Sequence, residues 1–409
     1  MSKRELNKPI TYRHLLLWLT QVTKHLKKME ENIPYKSVKP HLGSLRDCGF
    51  YQVDTNQSKI LKFIHGIYMR FVLVFISVFT VQQMIKIYQV RDDVNKVMDT
   101  MYLMLTNSDA LYKQVLFWKR QDQVEEILEL LKSPLFDHNE PKHRVLLLRT
   151  SREAKILLRG FNIAALATCM LWVLNPFILH LQHKPIELAI WLPFDYNHNP
   201  QFYYAIVYQW IQTSWLAYGN TSMDTFITYL YAQCKTQLAI LRLELENIVD
   251  KCTIESKTST ESFSTIFNRE FKTILLHYND IVRLANQTEN IFGNAILYFF
   301  LVSGWIMCTS AYRMIHVNST SVAFLSMVLY IMCILIEIYL YCFFGNEVAH
   351  ESGKLMESAF GMDWHKIPVE CRYSLIIFME RIKRPIVPTA GAIIPLANNT
   401  FVSVRHLFY

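Results

Sequence analysis

The stretch VAFLSMVLYIMCILIEIYLYCFF, residues 322–344, is almost entirely apolar and carries a single carboxylate, Glu337. An α-helix needs about 20 residues to cross a hydrocarbon core of roughly 30 Å. The stretch has 23 residues, so it predicts a membrane-spanning helix. A charged side chain within such a helix is expected to face protein or water rather than lipid.

Six further stretches have the same character and give the chain seven predicted spans. The most polar of these is 97–117, which carries Asp99, Asn107, Asp109 and Lys113, so its polar side must be turned away from lipid. Reading only six spans would leave both termini on one side of the membrane. The six stretches are 67–87, 97–117, 156–179, 202–231, 291–312 and a last one that begins near Pro395.

Basic residues alternate between the connections in a way that orients the chain. Lys and Arg that are not translocated mark the cytoplasmic side of a membrane protein. They number 12 in residues 1–64, 8 in 118–155, 6 in 231–280 and 6 in 343–384, but only one in each of 88–93, 180–201 and 313–321. The N-terminus is therefore predicted to be cytoplasmic, which is the reverse of a G-protein-coupled receptor.

Composition agrees with a membrane protein and argues against several other classes. The chain is 52% hydrophobic and 19% charged, and its net charge of +8 lies on the predicted cytoplasmic side. No basic helix with interleaved aromatic residues indicates nucleic-acid binding. Residues 1–64 lack the apolar core of a cleavable signal peptide. All eight cysteines fall in predicted spans or cytoplasmic segments, so no extracellular disulfide is expected.

Motifs for catalysis or metal binding are missing from the sequence. There is no GxSxG, P-loop, HExxH or CxxC pattern, so we expect no enzyme activity, no cofactor and no metal. The loop residues His180, His183 and His198 are expected to be solvated. Arg70, Asp224 and Glu337 lie within spans, where we favour a structural role over one in gating. The sequon at Asn318 is predicted to be extracellular, and its use is left open.

Amphipathic helices are predicted beyond the spans on the cytoplasmic side. One, at 119–133, should extend the second span, a second covers 235–249, and a third, at 265–285, leads into the fifth span. Between the last two, residues 253–264 are rich in Ser, Thr, Glu and Lys and predict a mobile loop. Such helices indicate a cytoplasmic bundle, whose apolar faces pack either against another subunit or within one.

The last third of the chain carries the strongest motif, YCFFGNEV at residues 341–348, which is followed by Glu351-Ser352 and Trp364. It resembles the exit of the sixth span in insect odorant receptors. The same family resemblance extends to RIKRP at 381–385, TAG at 389–391, Thr400-Phe401, WLPFD at 191–195 and His277-Tyr278. The GNE element at 345–347 and the WLPFD run favour odorant receptors over the related gustatory receptors.

This resemblance implies an all-α, polytopic membrane protein that acts as a ligand-gated, non-selective cation channel of four subunits. A cytoplasmic N-terminal region, 1–64, would precede a seven-helix membrane domain, 65–409. Anchor helices would come from 119–155, 232–285 and 345–394, and a pore helix would start at about 395. The short second cytoplasmic loop implies an odour-tuning subunit that assembles with the odorant co-receptor in the dendrite plasma membrane of olfactory neurons. The alternatives are a gustatory-type channel and, from another class, a G-protein-coupled receptor.

A volatile ligand would require a dry cavity lined by aromatic, Met and branched side chains. We expect this cavity in the extracellular halves of the second, third, fourth and sixth spans, from which family pockets are built. The candidate ligand-binding residues are Met98, Met101, Tyr102, Cys169, Trp172, Tyr204, Val207, Tyr208, Ile211, Phe324, Met327, Val328 and Ile331.

The candidate pore-lining residues are Thr400, Ser403, Val404 and Leu407. The 15 residues from Pro395 to Tyr409 would rise only about 22 Å as a helix, less than the roughly 30 Å of the hydrocarbon core. We therefore expect the last span, and the gate of the pore, to continue beyond Tyr409.

Overall fold

The computed structural model describes residues 32–52, 58–138, 140–184, 186–196 and 198–406, except for the side chains of 404–406. Within these residues the chain is almost wholly helical. The helices are α1 (Ile33–Asp47), α2 (Lys59–Gln89), α3 (Val94–Lys119), α4 (Gln121–Leu131), α5 (Pro141–Leu181), α6 (Gln201–Thr258), α7 (Phe263–His316), α8 (Val322–Phe360), α9 (Val369–Ile382) and α10 (Asn398–His406). A 3-10 turn at Trp364–Lys366 and a hairpin of β1 (Thr389–Ala390) and β2 (Ile394–Pro395) complete the described elements.

The seven predicted spans fall on α2, α3, α5, α6, α7, α8 and α10. Among the described helices, α2, α5, α7 and α8 are long and apolar enough to cross a membrane by composition alone. Helix α3 is more polar, and its Asn107, Asp109 and Lys113 are buried against protein, as predicted. Asp224 on α6 and Glu337 on α8 are buried in the same way. These five polar side chains of the spans thus face the interior.

Four of the spanning helices, α5 to α8, run well past the predicted membrane. Helix α6 has 58 residues and α7 has 54, which correspond to about 87 and 81 Å. Their extensions pack with α1, α4 and α9 into a bundle that we call the anchor end. The opposite end, which carries the connections 90–93, 182–200 and 317–321, is called the far end.

Two sequence predictions at the anchor end are wrong. Residues 253–264 do not form a loop over most of their length, because α6 stays helical to Thr258. Ion pairs of Lys251 with Glu270 and of Arg269 with Glu255, at 2.6 and 2.5 Å, join the end of α6 to the start of α7. The polar composition therefore reflects a solvated helix face. Segment 119–133 does not continue the second span either, since Arg120 leaves helical geometry (φ −106°, ψ 17°) and α4 is a separate helix.

Helix α6 is the centre of the packing. It lies against α5, α7 and α8 along much of its length. The rings of Phe117, Phe226 and Phe292 meet at centroid distances of 5.8 to 6.1 Å and join α3, α6 and α7. Near them, the ring of Phe50 occupies the space of an absent side chain at Gly219, since a Cβ there would lie 2.7 Å from it. Gly219 thus lets the turn after α1 reach the core.

The C-terminal hairpin positions α10 against the rest of the bundle. Gly391 and Ala392 both have positive φ, 59° and 57°, and lie in the three-residue loop 391–393 between the paired strands. The Ile393 amide donates to the Ala390 carbonyl at 3.1 Å and closes this turn. The Gly391 amide donates to the Gly293 carbonyl on α7 at 2.9 Å. Leu396 packs directly on Gly345 of α8. The motifs at 341–348 and 389–391 therefore hold the start of α10 in place.

Candidate functional site

Three aromatic side chains from different helices meet between the spans in the far half of the bundle. Tyr102 of α3 contacts Trp172 of α5 at a centroid distance of 5.9 Å and Tyr330 of α8 at 5.6 Å. Trp172 and Tyr330 are 5.2 Å apart. These distances are within the range of favourable aromatic pairs. We call Tyr102, Trp172 and Tyr330 the aromatic triad.

Two adjoining cavities of about 90 and 70 Å³ lie on either side of the triad and share Leu103 and Trp172 in their walls. The larger opens toward the far end and has a polar rim. The smaller is deeper and mostly apolar. Its walls are formed by Leu103, Thr106, Asn107, Phe161, Ala165, Thr168, Cys169, Trp172, Thr213, Leu216, Ala217, Asn220, Thr221, Tyr330, Cys333, Ile334 and Glu337.

Charged side chains form the rim of the larger cavity. Arg313 of α7 binds Asp99 of α3, with Nε 2.8 Å from Oδ1, and its guanidinium also donates to the Tyr102 hydroxyl at 3.4 Å. Lys96 binds Glu187 in the 182–200 connection. The rim therefore links this connection to α3 and α7, above a cavity that becomes apolar with depth.

Few polar groups point into the deeper cavity. Trp172 Nε1 is buried and has no hydrogen-bond partner among the described residues, so its N–H is available as a donor. The Tyr330 hydroxyl is bonded to Thr106. At the floor, Asn220 and Glu337 both contact Lys113 Nζ, at 3.2 and 2.9 Å. The deeper cavity thus offers apolar contact and a floor shared with a buried charged cluster, and the Trp172 N–H belongs to the wall that it shares with the larger cavity.

Residues 93–409 match the family model described as 7tm Odorant receptor. The chain belongs to the odorant receptor family. It is 24% identical to Odorant receptor 94a of Drosophila melanogaster over 57% of this chain and 58% of that protein. It is 20% identical to Odorant receptor Or1 of Anopheles gambiae over 87% of this chain and 89% of that one.

The fold is shared with a solved odorant receptor structure. The olfactory receptor OR5 from Machilis hrabei, in complex with eugenol, superposes with a TM-score of 0.76 at 16% identity, covering 91% of this chain and 95% of that one. The resemblance inferred from the motifs and the prediction of an all-α, seven-helix membrane fold are therefore confirmed. Odorant receptors with this fold are receptors and channels, so the chain is not an enzyme.

The structure brings together four of the residues predicted to bind ligand in this odorant receptor. Tyr102, Trp172 and Met327 line the larger cavity, and Cys169 and Trp172 line the smaller one. Cys169 is buried, with Sγ 3.7 Å from the Thr213 carbonyl oxygen.

The other predicted residues lie away from both cavities. On α6, Tyr204 and Val207 are 67% and 51% exposed, and Ile211 lines a separate surface groove. Tyr208 faces α2, where its hydroxyl donates to Gln82 Oε1 at 2.8 Å. The remaining residues predicted to bind ligand are half-buried and line neither cavity; they are Met98, Met101, Phe324, Val328 and Ile331.

The sequence did not indicate Tyr330, Leu103 or Leu216, although all three line the deeper cavity. An apolar stripe has the same composition whether it faces lipid or a cavity. The cavity side of a span could have been identified from its polar residues, because polar residues within a span face the interior rather than lipid. On α6, Gln209 and Thr213 mark the cavity side, whereas the aromatic stripe was predicted instead.

Of the predicted pore residues, Thr400, Ser403 and Val404 lie on α10. Thr400 is half-buried and its hydroxyl donates to the Pro395 carbonyl at 2.7 Å, and Ser403 is exposed. The ring of Phe401 packs against Tyr339 of α8 at a centroid distance of 5.4 Å. The Val404 side chain and Leu407 lie outside the described part of the chain.

Proposed function

We propose that this odorant receptor is an odour-tuning subunit of a ligand-gated, non-selective cation channel. It binds a small volatile molecule in the cavities around the aromatic triad and assembles with the odorant co-receptor. Its place is the plasma membrane of olfactory neuron dendrites, with the N-terminus in the cytoplasm. A ligand opens such a channel only if it binds the open arrangement better than the closed one.

The observation that carries this proposal is the chemistry of the deeper cavity. An apolar, aromatic lining with one available N–H suits a small ligand with a single acceptor oxygen. Eugenol, with which the similar Machilis hrabei receptor OR5 was solved in complex, is likewise small and mostly apolar, and its hydroxyl and methoxy oxygens can accept a hydrogen bond. Tyr102, Cys169, Trp172 and Met327 are the predicted residues that we place in contact with the ligand, joined by Tyr330. With cavities of about 90 and 70 Å³, we expect the triad to shift when a ligand enters.

The anchor end supports assembly with a partner subunit. Val369, Tyr373, Ile376 and Ile377 recur on one face of α9, and all four are more than half exposed. An apolar face of this size is expected to be covered by protein. Only residues 259–262 separate α6 from α7, so this connection is short, as expected for a tuning subunit. In the assembled channel, we place Thr400 and Ser403 toward the pore.

Electrophysiology with matched variants tests the proposal. The receptor is expressed with and without the odorant co-receptor and exposed to an odorant panel. We expect odour-evoked cation current only with the co-receptor, and current that persists when G proteins are blocked. Silence with the co-receptor across the panel would reject the proposal, as would an N-terminal epitope that is labelled on intact cells.

The cavity itself is tested by two substitutions and one control. Trp172→Leu and Tyr330→Leu remove aromatic rings that we place against the ligand, and an aromatic contact is worth about 1 kcal/mol beyond the buried area. With the loss of buried area added, the half-maximal odorant concentration is expected to rise by about tenfold or more. Tyr204→Leu, the control, changes an aromatic residue on the exposed face of α6. It should shift the half-maximal odorant concentration by less than about twofold. The reverse pattern would place the ligand on the α6 stripe predicted from sequence.

A further inference from the structure

A second cluster of chemically active side chains lies at the anchor end, away from the cavities. His138 is in the connection between α4 and α5, Glu244 is on α6 and His277 is on α7. One potential ligand atom from each of the three lies within 4.8 Å of the others. None of the three residues lines either cavity around the aromatic triad.

The spacing of the cluster fits a small divalent cation. His138 Nδ1 is 3.2 Å from Glu244 Oε1, and His277 Nδ1 is 3.6 Å from Glu244 Oε2. Tetrahedral ligands bound to Zn²⁺ at 2.0–2.1 Å are separated by roughly 3.3 Å. Both imidazole–carboxylate separations are close to this value, with His138 next to one oxygen of Glu244 and His277 next to the other.

The hydrogen bonds of His277 fix which ring nitrogen carries the proton. Gln237 Nε2 donates to the Phe136 carbonyl at 2.8 Å, so its Oε1 is turned toward His277 Nε2 at 2.9 Å and accepts a hydrogen bond from the N–H there. The neutral ring then presents its Nδ1 lone pair to Glu244. A metal-binding histidine commonly donates its other ring N–H to an oxygen in this way.

Among the described residues, no cation lies between the Nδ1 lone pair of His277 and the carboxylate of Glu244. His277 is 1% exposed, and its Nδ1 has no hydrogen-bond partner among the described residues. A lone pair and a carboxylate facing each other at 3.6 Å repel unless a cation lies between them.

We propose that His138, Glu244 and His277 bind a Zn²⁺ ion, with water as the fourth ligand. Two imidazoles and one carboxylate form a ligand set typical of zinc. Glu244 is partly exposed, which gives the ion a route from solvent. The bound ion would clamp the α4–α5 connection to α6 and α7. This differs from the expectation of no metal because His138 and His277 are far apart in sequence and show no metal-binding spacing.

Metal content of the purified full-length receptor tests the proposal. After dialysis against buffer with trace zinc, mass spectrometry should find about one zinc ion per chain. His277→Gln and Glu244→Gln should each weaken the affinity, measured by competition with a fluorescent chelator, by at least tenfold. His350→Gln changes an exposed histidine elsewhere on the anchor end and should keep the zinc. Equal zinc content in all four proteins, or none in the unsubstituted receptor, would overturn the proposal and leave a His–Glu cluster without metal.

A second measurement applies even if a variant fails to fold. The unsubstituted receptor is stripped with a chelator and titrated with Co²⁺, which gives strong visible absorption in a tetrahedral site and is displaced by Zn²⁺. We expect this absorption together with a higher melting temperature on zinc addition. Absence of both signals would reject the site, whether or not the receptor binds odorants.

Discussion

Lys113 on α3 and Asp224 on α6 form an ion pair in the interior, with Nζ 2.7 Å from Oδ1 and both side chains 1% exposed. The same ammonium lies 2.9 Å from Asp109 and 2.9 Å from Glu337. The Tyr341 hydroxyl donates to Asp224 at 2.7 Å. One lysine therefore holds three carboxylates from α3, α6 and α8 together at the floor of the deeper cavity.

Lys113→Met is expected to destabilise the receptor strongly. The substitution leaves buried carboxylates without their cation, and removal of one partner from a buried ion pair costs about 3–5 kcal/mol. Thermal unfolding of the receptor in detergent should show a markedly lower melting temperature. Lys119→Met, at the exposed end of the same helix, is the control and should change the melting temperature little. Equal melting temperatures for the two variants would contradict a structural role for the cluster.

Gly345→Ala is expected to impair channel opening while the protein still reaches the membrane. A Cβ at this position would lie 2.4 Å from Leu396 Cβ and 2.6 Å from the Leu396 carbonyl oxygen. Backbone cannot yield as a flexible side chain does, so the segment that leads into α10 must move. Odour-evoked current is measured beside surface labelling. Gly353→Ala, on the same helix with nothing within 4 Å of the added methyl group, should retain normal current, and a similar loss in both variants would refute the explanation.

The buried side chain of His41 is expected to make the receptor less stable at acidic pH. Burial lowers the pKa of His41 from 6.5 to about 4, where its ring stacks on Tyr229 at 5.3 Å. Because the unfolded chain takes up this proton more readily, the stabilising effect is complete above about pH 6.5 and is lost as the pH falls toward 4. The loss corresponds to about 3 kcal/mol. Melting temperatures from pH 7.5 to 4 should fall more steeply for the unsubstituted receptor than for His41→Phe, and parallel curves would contradict this assignment.

The sequence predicted the spans because hydrophobicity and basic residues act locally along the chain. It also predicted that Asp109 and Lys113 face protein, since lipid does not tolerate them. Hydrophobicity does not show which face of a helix points outward and which lines a cavity. Tyr204 and Tyr330 both lie in apolar spans, yet one is exposed and the other lines a cavity. Only the packing of neighbouring helices separates the two.

The sequence also did not show which residues that are distant along the chain lie close together in the fold. His138 and His277 come from segments that nothing in the sequence connects, and they meet only because α6 and α7 pack side by side. The continuity of α6 to Thr258 was missed for a related reason. Its polar residues resemble a loop in composition, but their ion pairs form with residues of α7.

Ile376→Glu is expected to reduce assembly with the co-receptor. Ile376 lies in the middle of the exposed apolar face of α9, and a carboxylate buried in a subunit contact without a partner is costly. Co-purification of the two subunits from detergent should fall several-fold, with monomer expression unchanged. Ile254→Glu, which places the same charge on an exposed isoleucine near the end of α6, is the comparison and should leave co-purification intact. If the two variants co-purify equally well, the α9 face is not the contact surface, and the exposed apolar residues of α6 become the next candidate.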